Sequence, residues 1–114
     1  MSADLTAKHC VPCEGGVPPM ADDEIQKYLD EVGGNWEHVP GLVHKIKNEY
    51  KFKDFKEAML FVNKVADLAE DEGHHPDIHV SWNKVRLELF THAIHGLSEN
   101  DFILAAKIEG LNQR

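Results

Sequence analysis

Asp77-Ile-His-Val-Ser-Trp82-Asn-Lys-Val85-Arg-Leu-Glu-Leu89 holds two alternating runs back to back. Ile78, Val80 and Trp82 share one parity, and Val85, Leu87 and Leu89 share another. Successive side chains of a strand point to opposite faces, so each run predicts a half-buried strand. Asn83-Lys84 between them is short enough for a hairpin turn.

Upstream of this hairpin, residues 55–72 carry the strongest helical period. Phe55, Ala58, Met59, Val62, Val65, Ala66 and Ala69 mark its buried face, which Phe61 and Leu68 widen. Asp54 is placed to cap it, Glu57 sits where a capping box puts its acid, and Gly73 is its stop. A first helix is expected from Asp22, with Ile25, Tyr28, Leu29 and Val32 on one face and Gly33-Gly34 ending it. Trp36-Glu-His-Val39 predicts a short strand and Pro40-Gly41 a turn. Leu42–Phe52 predicts a second strand, with Ile46, Tyr50 and Phe52 on one parity and lysines on the other. A last helix is expected from Ser98, with Asp101 three residues on and Leu104, Ala105, Ile108 and Leu111 facing inward. The order is helix-strand-strand-helix-strand-strand-helix. Hairpins separated by helices predict an α+β fold, a four-stranded antiparallel sheet with three helices packed on one face. Its exposed edges invite pairing with another copy, so a homodimer or homotetramer is expected.

The 114 residues suit one domain. Residues 1–19, with Gly15, Gly16, Pro18 and Pro19, are expected as a flexible N-terminal segment, and 20–114 as the single domain. The formal net charge of -8 argues against nucleic-acid binding through a basic patch. Lys45, Lys47, Lys51, Lys53 and Lys56 alternate with Glu49, Asp54 and Glu57, which reads as a solvated mixed-charge surface. No apolar run reaches the length of a membrane span and the first residues lack a secretory pattern, so a cytoplasmic location is expected. Cys10 and Cys13 are then free thiols outside any redox-enzyme context. The aromatic residues Trp36, Tyr50, Phe52, Phe55, Phe61 and Trp82 read mostly as core, with Trp36 or Trp82 walling a flat-ring pocket as the alternative.

Eight histidines is a high count for this length, and they cluster. Glu70-Asp-Glu-Gly-His74-His75-Pro76-Asp77-Ile-His79 follows a helix stop, where loops carry site residues. Imidazole titrates nearest neutrality and can give or take a proton at working pH. His92 lies at the end of the last strand. With the turn at 83–84, hairpin pairing brings it close to His74 and His75. Three readings stand at this point: a solvated polar loop, an acid/base site, and a zinc site. The spacing argues against zinc, because Pro76 breaks any helical pairing of His75 with His79 and no carboxylate or thiol ligand is convincingly placed. His9, Cys10 and Cys13 lack a fourth ligand.

The run Glu70-x3-His74-His75-Pro76-x5-Trp82-x9-His92-x8-Asp101 resembles the signature of the pterin-4a-carbinolamine dehydratases. Phe52-Lys-Asp-Phe-Lys-Glu-Ala58, Trp82-Asn-Lys-Val85 and Gly96-Leu-Ser98 are similar to that family too. The Cys10–Met20 stretch is similar to its bacterial members, while Ala21 stands where a hydroxyl residue is expected to cap the first helix. The resemblance implies the same α+β sandwich. It also implies dehydration of a 4a-hydroxytetrahydropterin, with no cofactor and no metal, in partnership with an aromatic amino-acid hydroxylase. On this resemblance His74, His75 and His92 are the candidate catalytic residues. Pro76, Thr91, Ala93 and Ile94 join them around the pterin, Glu70 and Asp101 are candidates for orienting the imidazoles, and Trp82 is a candidate to support the site from behind these residues. Animal relatives also act as a dimerisation cofactor for a homeodomain transcription factor, and some plant and bacterial relatives are assembly chaperones with degraded histidines. That role is the alternative here.

Overall fold

The computed structural model describes residues 3–8, 10 and 20–112. Its elements are α1 (Ala3–Thr6), α2 (Asp22–Val32), β1 (Glu37–Val39), β2 (Lys45–Lys51), α3 (Phe55–Glu72), β3 (Asp77–Ser81), β4 (Lys84–Leu89) and α4 (Glu99–Asn112), with a short 3-10 turn over His92–Ile94. The four strands form one antiparallel sheet in the order β1-β2-β4-β3. The fold is the α+β arrangement of three main helices on an open antiparallel sheet.

Alternation sets the two faces. Val85, Leu87 and Leu89 of β4 and Ile46 of β2 are fully buried beneath the helices. The opposite face carries charge pairs in register, Lys47 across from Glu88 and Glu49 across from Arg86. Helix α4 lies at the centre of the helical layer, against α1, α2 and α3. Phe102, Ile103, Leu104, Ala105 and Ile108 are all at most 2% exposed. More of α4 is buried than the expected stripe of Leu104, Ala105, Ile108 and Leu111, because the helix has neighbours on several sides. Each fully buried large aliphatic or aromatic side chain contributes about 1.5–3 kcal/mol.

Several boundaries differ from the sequence expectation. Strand β2 starts at Lys45 because β1 is only three residues long and its last pair is Val39 with Lys45. Residues 41–43 bend and leave Leu42 fully exposed. On α3 the buried line is Ala58, Phe61, Val65 and Ala69, whereas Phe55 is 51% exposed and Ala66 also faces solvent. Asp54 caps α3 by accepting the Glu57 N–H at 2.9 Å, and the Glu57 carboxylate accepts the Lys53 N–H. Within the segment expected to be flexible, residues 3–6 form a helical turn whose Leu5 is 2% exposed. His9 and residues 11–19, Cys13 among them, lie outside the described residues.

The hairpin turn falls at Trp82-Asn83, not Asn83-Lys84, since Ser81 pairs with Lys84. Asn83 decides this. It is buried, its side-chain amide donates to the Phe52 carbonyl at 2.9 Å, and its own carbonyl accepts the Phe52 N–H at 2.8 Å. Trp82 is thereby forced to a left-handed φ of 53° and left 68% exposed.

Candidate functional site

The C-terminus of α3 delivers His74 and His75. Gly73 adopts the left-handed conformation with φ 68°, and the His74 N–H closes the helix end by donating to the Ala69 carbonyl at 3.2 Å. This reverses the chain and turns the His74 ring toward the start of α4. There its Nε2 lies 2.6 Å from Asp101 Oδ1, with His74 12% exposed and Asp101 fully buried. His75 points the other way, its Nε2 2.6 Å from Glu70 Oε2, both side chains well exposed.

The third histidine follows β4. Thr91 and Gly96 bridge across a tight loop, the Thr91 N–H donating to the Gly96 carbonyl at 2.7 Å. Ile94 is buried under the loop, while His92 and Ala93 stand on its outer side. The His92 ring packs on Phe90 with centroids 4.1 Å apart. Thr91 itself is buried, and its hydroxyl donates to Asp101 Oδ2 at 2.8 Å. A hydroxyl has one proton, so the Ser98 hydroxyl must donate to Thr91 across their 2.8 Å contact. The Ser98 N–H completes the set on Asp101 Oδ2 at 3.0 Å.

Asp101 is therefore the hub. It is the third residue of α4 and reaches back to the Ser98 N–H, as the acidic member of a capping box does. An ionised carboxylate only accepts, so the His74 contact fixes its proton on Nε2 and leaves Nδ1 as the outward nitrogen. One buried side chain thus grips His74 with one oxygen and the residue preceding His92 with the other.

The expected site residues are distributed accordingly. Continued past the Asp77–Glu88 pair, the hairpin register sets His74 opposite Thr91 and His75 opposite Phe90. The earlier turn is the reason His75 does not face His92. Pro76 leads into β3 and is half-buried. Thr91 and Ile94 point inward, so only their backbone faces the loop's outer side. Glu70 meets His75. Trp82 does not belong with the others: it stands at the far end of β3, about 16 Å of strand away. Ser98 touches Thr91 and Asp101, and Phe90 packs on His92, without a sequence signal of their own. Ser98 reads only as a helix start, and Phe90 lies one residue past the alternation of β4. Surface cavities of about 540, 320, 270 and 220 Å³ are lined by residues other than these histidines.

Residues 18–111 match the model of the family described as Pterin 4 alpha carbinolamine dehydratase. The chain belongs to this family. Two similar members of the dehydratase family carry the provisional name pterin-4-alpha-carbinolamine dehydratase. The one from Rickettsia canadensis is 52% identical over 92% of this chain and 94% of its own. The one from Alkaliphilus metalliredigens is 47% identical over 93% of this chain and 94% of its own. Among solved structures, a transcriptional coactivator/pterin dehydratase from Brucella melitensis superposes with a TM-score of 0.76. It is 32% identical and covers 83% of this chain and 99% of its own. A pterin dehydratase-like RuBisCO assembly factor of the alpha-carboxysome shares the fold, with a TM-score of 0.60 at 21% identity over 70% of this chain and 92% of its own.

Proposed function

We propose that the chain is a 4a-hydroxytetrahydrobiopterin dehydratase, a hydro-lyase acting by histidine acid/base catalysis in the recycling of tetrahydrobiopterin. Family membership supplies the substrate class. The observation that carries the residue assignment is the grip of buried Asp101 on His74 and on Thr91 beside His92.

In this reading the substrate is a pterin bearing a hydroxyl at C4a. Its C4a–O bond breaks, a protonated imidazole hands its proton to the departing hydroxyl, and water leaves. The ring N–H gives its proton to a second imidazole, and the product is the quinonoid dihydropterin. Electrons and atoms balance without any oxidant or reductant. His74 is assigned the base, because Asp101 holds its proton on Nε2 and leaves Nδ1 with a lone pair. Exposed His92, its ring tilted against Phe90, is assigned the acid. Exposed His75, paired with Glu70, holds the pterin, and the backbone of Pro76 and of Thr91–Ile94 lines its edge. The enzyme works in the cytoplasm beside an aromatic amino-acid hydroxylase and assembles as a homo-oligomer, which the open edge strand β3 favours. No helix among the described residues is long and apolar enough to cross a membrane.

The test is the decay of 4a-hydroxytetrahydrobiopterin generated in situ by a phenylalanine hydroxylase. Acceleration over spontaneous dehydration that falls in His74→Ala and His92→Ala is expected. A binding or transcription-cofactor role is the second reading, favoured by the double description of the Brucella relative. Absence of acceleration by the folded protein would select it.

A further inference from the structure

A second histidine cluster lies where α2 meets the β1–β2 loop. His38 is in β1, His44 directly precedes β2, and Asp22 is the first residue of α2. His38 Nε2 and His44 Nδ1 face each other at 2.7 Å, and the two rings stack with centroids 4.9 Å apart. His44 Nδ1 is 3.9 Å from Asp22 Oδ1. One donor atom from each residue falls within 4.8 Å of the other two.

Two neutral imidazole nitrogens cannot approach to 2.7 Å with both lone pairs facing. One must carry a proton between them, so the pair already shares a single electrophile. A metal ion substitutes for that proton by taking one lone pair from each ring. Zinc–nitrogen and zinc–oxygen bonds of about 2.0–2.2 Å place tetrahedral ligand atoms about 3.3 Å apart. The imidazoles must then splay by about 0.6 Å, and the carboxylate must close by about 0.6 Å on His44 and by up to about 1.5 Å on His38, whose donor atom lies within 4.8 Å of it. Both movements are open to these residues. His44 belongs to the loop between β1 and β2, and the Asp22 side chain is 82% exposed. The first turn of α2 also carries Asp23 and Glu24, which adds negative potential around the site. Two imidazoles and one carboxylate select a borderline divalent ion over magnesium or calcium, which prefer oxygen ligands.

We infer that His38 Nε2, His44 Nδ1 and the Asp22 carboxylate form a binding site for a divalent transition-metal ion of the zinc type, with water completing the coordination. The site uses none of His74, His75 and His92, and occupancy clips the start of α2 to the β1–β2 loop.

The probe is Zn²⁺ added to the chelator-treated full chain, followed by calorimetry and by long-range proton–nitrogen spectra of the histidine rings. At one equivalent the Nε2 resonance of His38 and the Nδ1 resonance of His44 move, and the thermal midpoint rises until chelator is added. His38→Gln and His44→Gln each lower the affinity by more than the about 10–100-fold that losing a second-sphere partner costs. Exposed Asp22→Asn, which leaves the fold intact, lowers it as well. His74→Gln leaves the site unchanged. The inference is overturned if the His38 and His44 resonances of the wild-type chain stay in place. Those spectra need no variant, so the outcome is independent of whether any substitution folds.

Discussion

Replacing Asp101 with Asn changes charge at constant shape and strikes the hub of the candidate site. Asp101 accepts from His74 at 2.6 Å, Thr91 at 2.8 Å and the Ser98 N–H at 3.0 Å. An amide has one accepting oxygen. The Ser98 N–H cannot reverse, so that oxygen stays with Ser98 and Thr91 and the NH₂ turns toward His74 Nε2. His74 must then accept on Nε2 and move its proton to Nδ1, the nitrogen assigned as base. Hydrogen bonds to charged groups are worth about 1.5–3 kcal/mol and neutral ones about 0.5–1.5. The three weakened bonds, offset by the relief of burying no charge, leave a stability loss of about 1–3 kcal/mol. Asp101→Ala strands all three donors and costs about 3–5 kcal/mol. The wrong tautomer removes general-base catalysis, a loss of about 10²-fold or more in kcat. Urea melts give the stability and stopped-flow turnover gives kcat, both at a temperature where Asp101→Asn remains folded. Combining Asp101→Asn with His74→Ala should be no worse than His74→Ala alone, since both act through one ring. Wild-type kcat in Asp101→Asn, or losses that multiply in the double variant, would refute the tautomer argument.

Other consequences follow from the fold. Ala21 precedes α2 with extended backbone and no side-chain cap, so Ala21→Ser should raise stability by about 0.5–1 kcal/mol in a urea melt. Leu5 is 2% exposed in the docked helical turn of α1, so Leu5→Ala should lower stability by about 2–3 kcal/mol, whereas an undocked tail would show no change. Burial, with the negative charge of Glu72, pushes the Cys10 thiol from 9.0 up to about 12, and burial with the Glu109 bond raises the Tyr50 hydroxyl above its usual 10.0. Both folded-state values lie above the unfolded ones, so the folded chain holds these protons more tightly. Their contribution is complete below about pH 9 and is lost as pH rises toward 12 and beyond. Urea midpoints should fall from pH 9 upward, and Tyr50→Phe should flatten part of that fall.

Periodicity made most of the architecture readable, because Val85, Leu87 and Leu89 or Ala58, Val65 and Ala69 have one buried side that composition alone reveals. What stayed hidden was set by contacts between distant residues. The two hydrogen bonds of Asn83 to Phe52 moved the turn by one residue and put Trp82 in solvent. Docking of Leu5 beside α4 had no local signal in a segment rich in glycine and proline. At the site, hairpin spacing grouped His74, His75 and His92, and the family resemblance marked Asp101. It could not reveal that Asp101 joins His74 to Thr91, that Glu70 serves His75 instead, or that Ser98 completes the hub. His38 and His44, six residues apart, meet across the β1–β2 hairpin, and Asp22 joins them only because α2 packs against β1.

Single-turnover stopped-flow absorbance of preformed 4a-hydroxytetrahydrobiopterin, mixed with excess chain at neutral pH, bears most directly on the dehydratase assignment. Quinonoid dihydropterin should form much faster than in buffer. His74→Ala and His92→Ala should each slow it by about 10²-fold or more, and the double variant should approach the spontaneous rate. Product formation at the buffer rate with the folded wild-type chain, or undiminished acceleration in the double variant, would contradict the assignment.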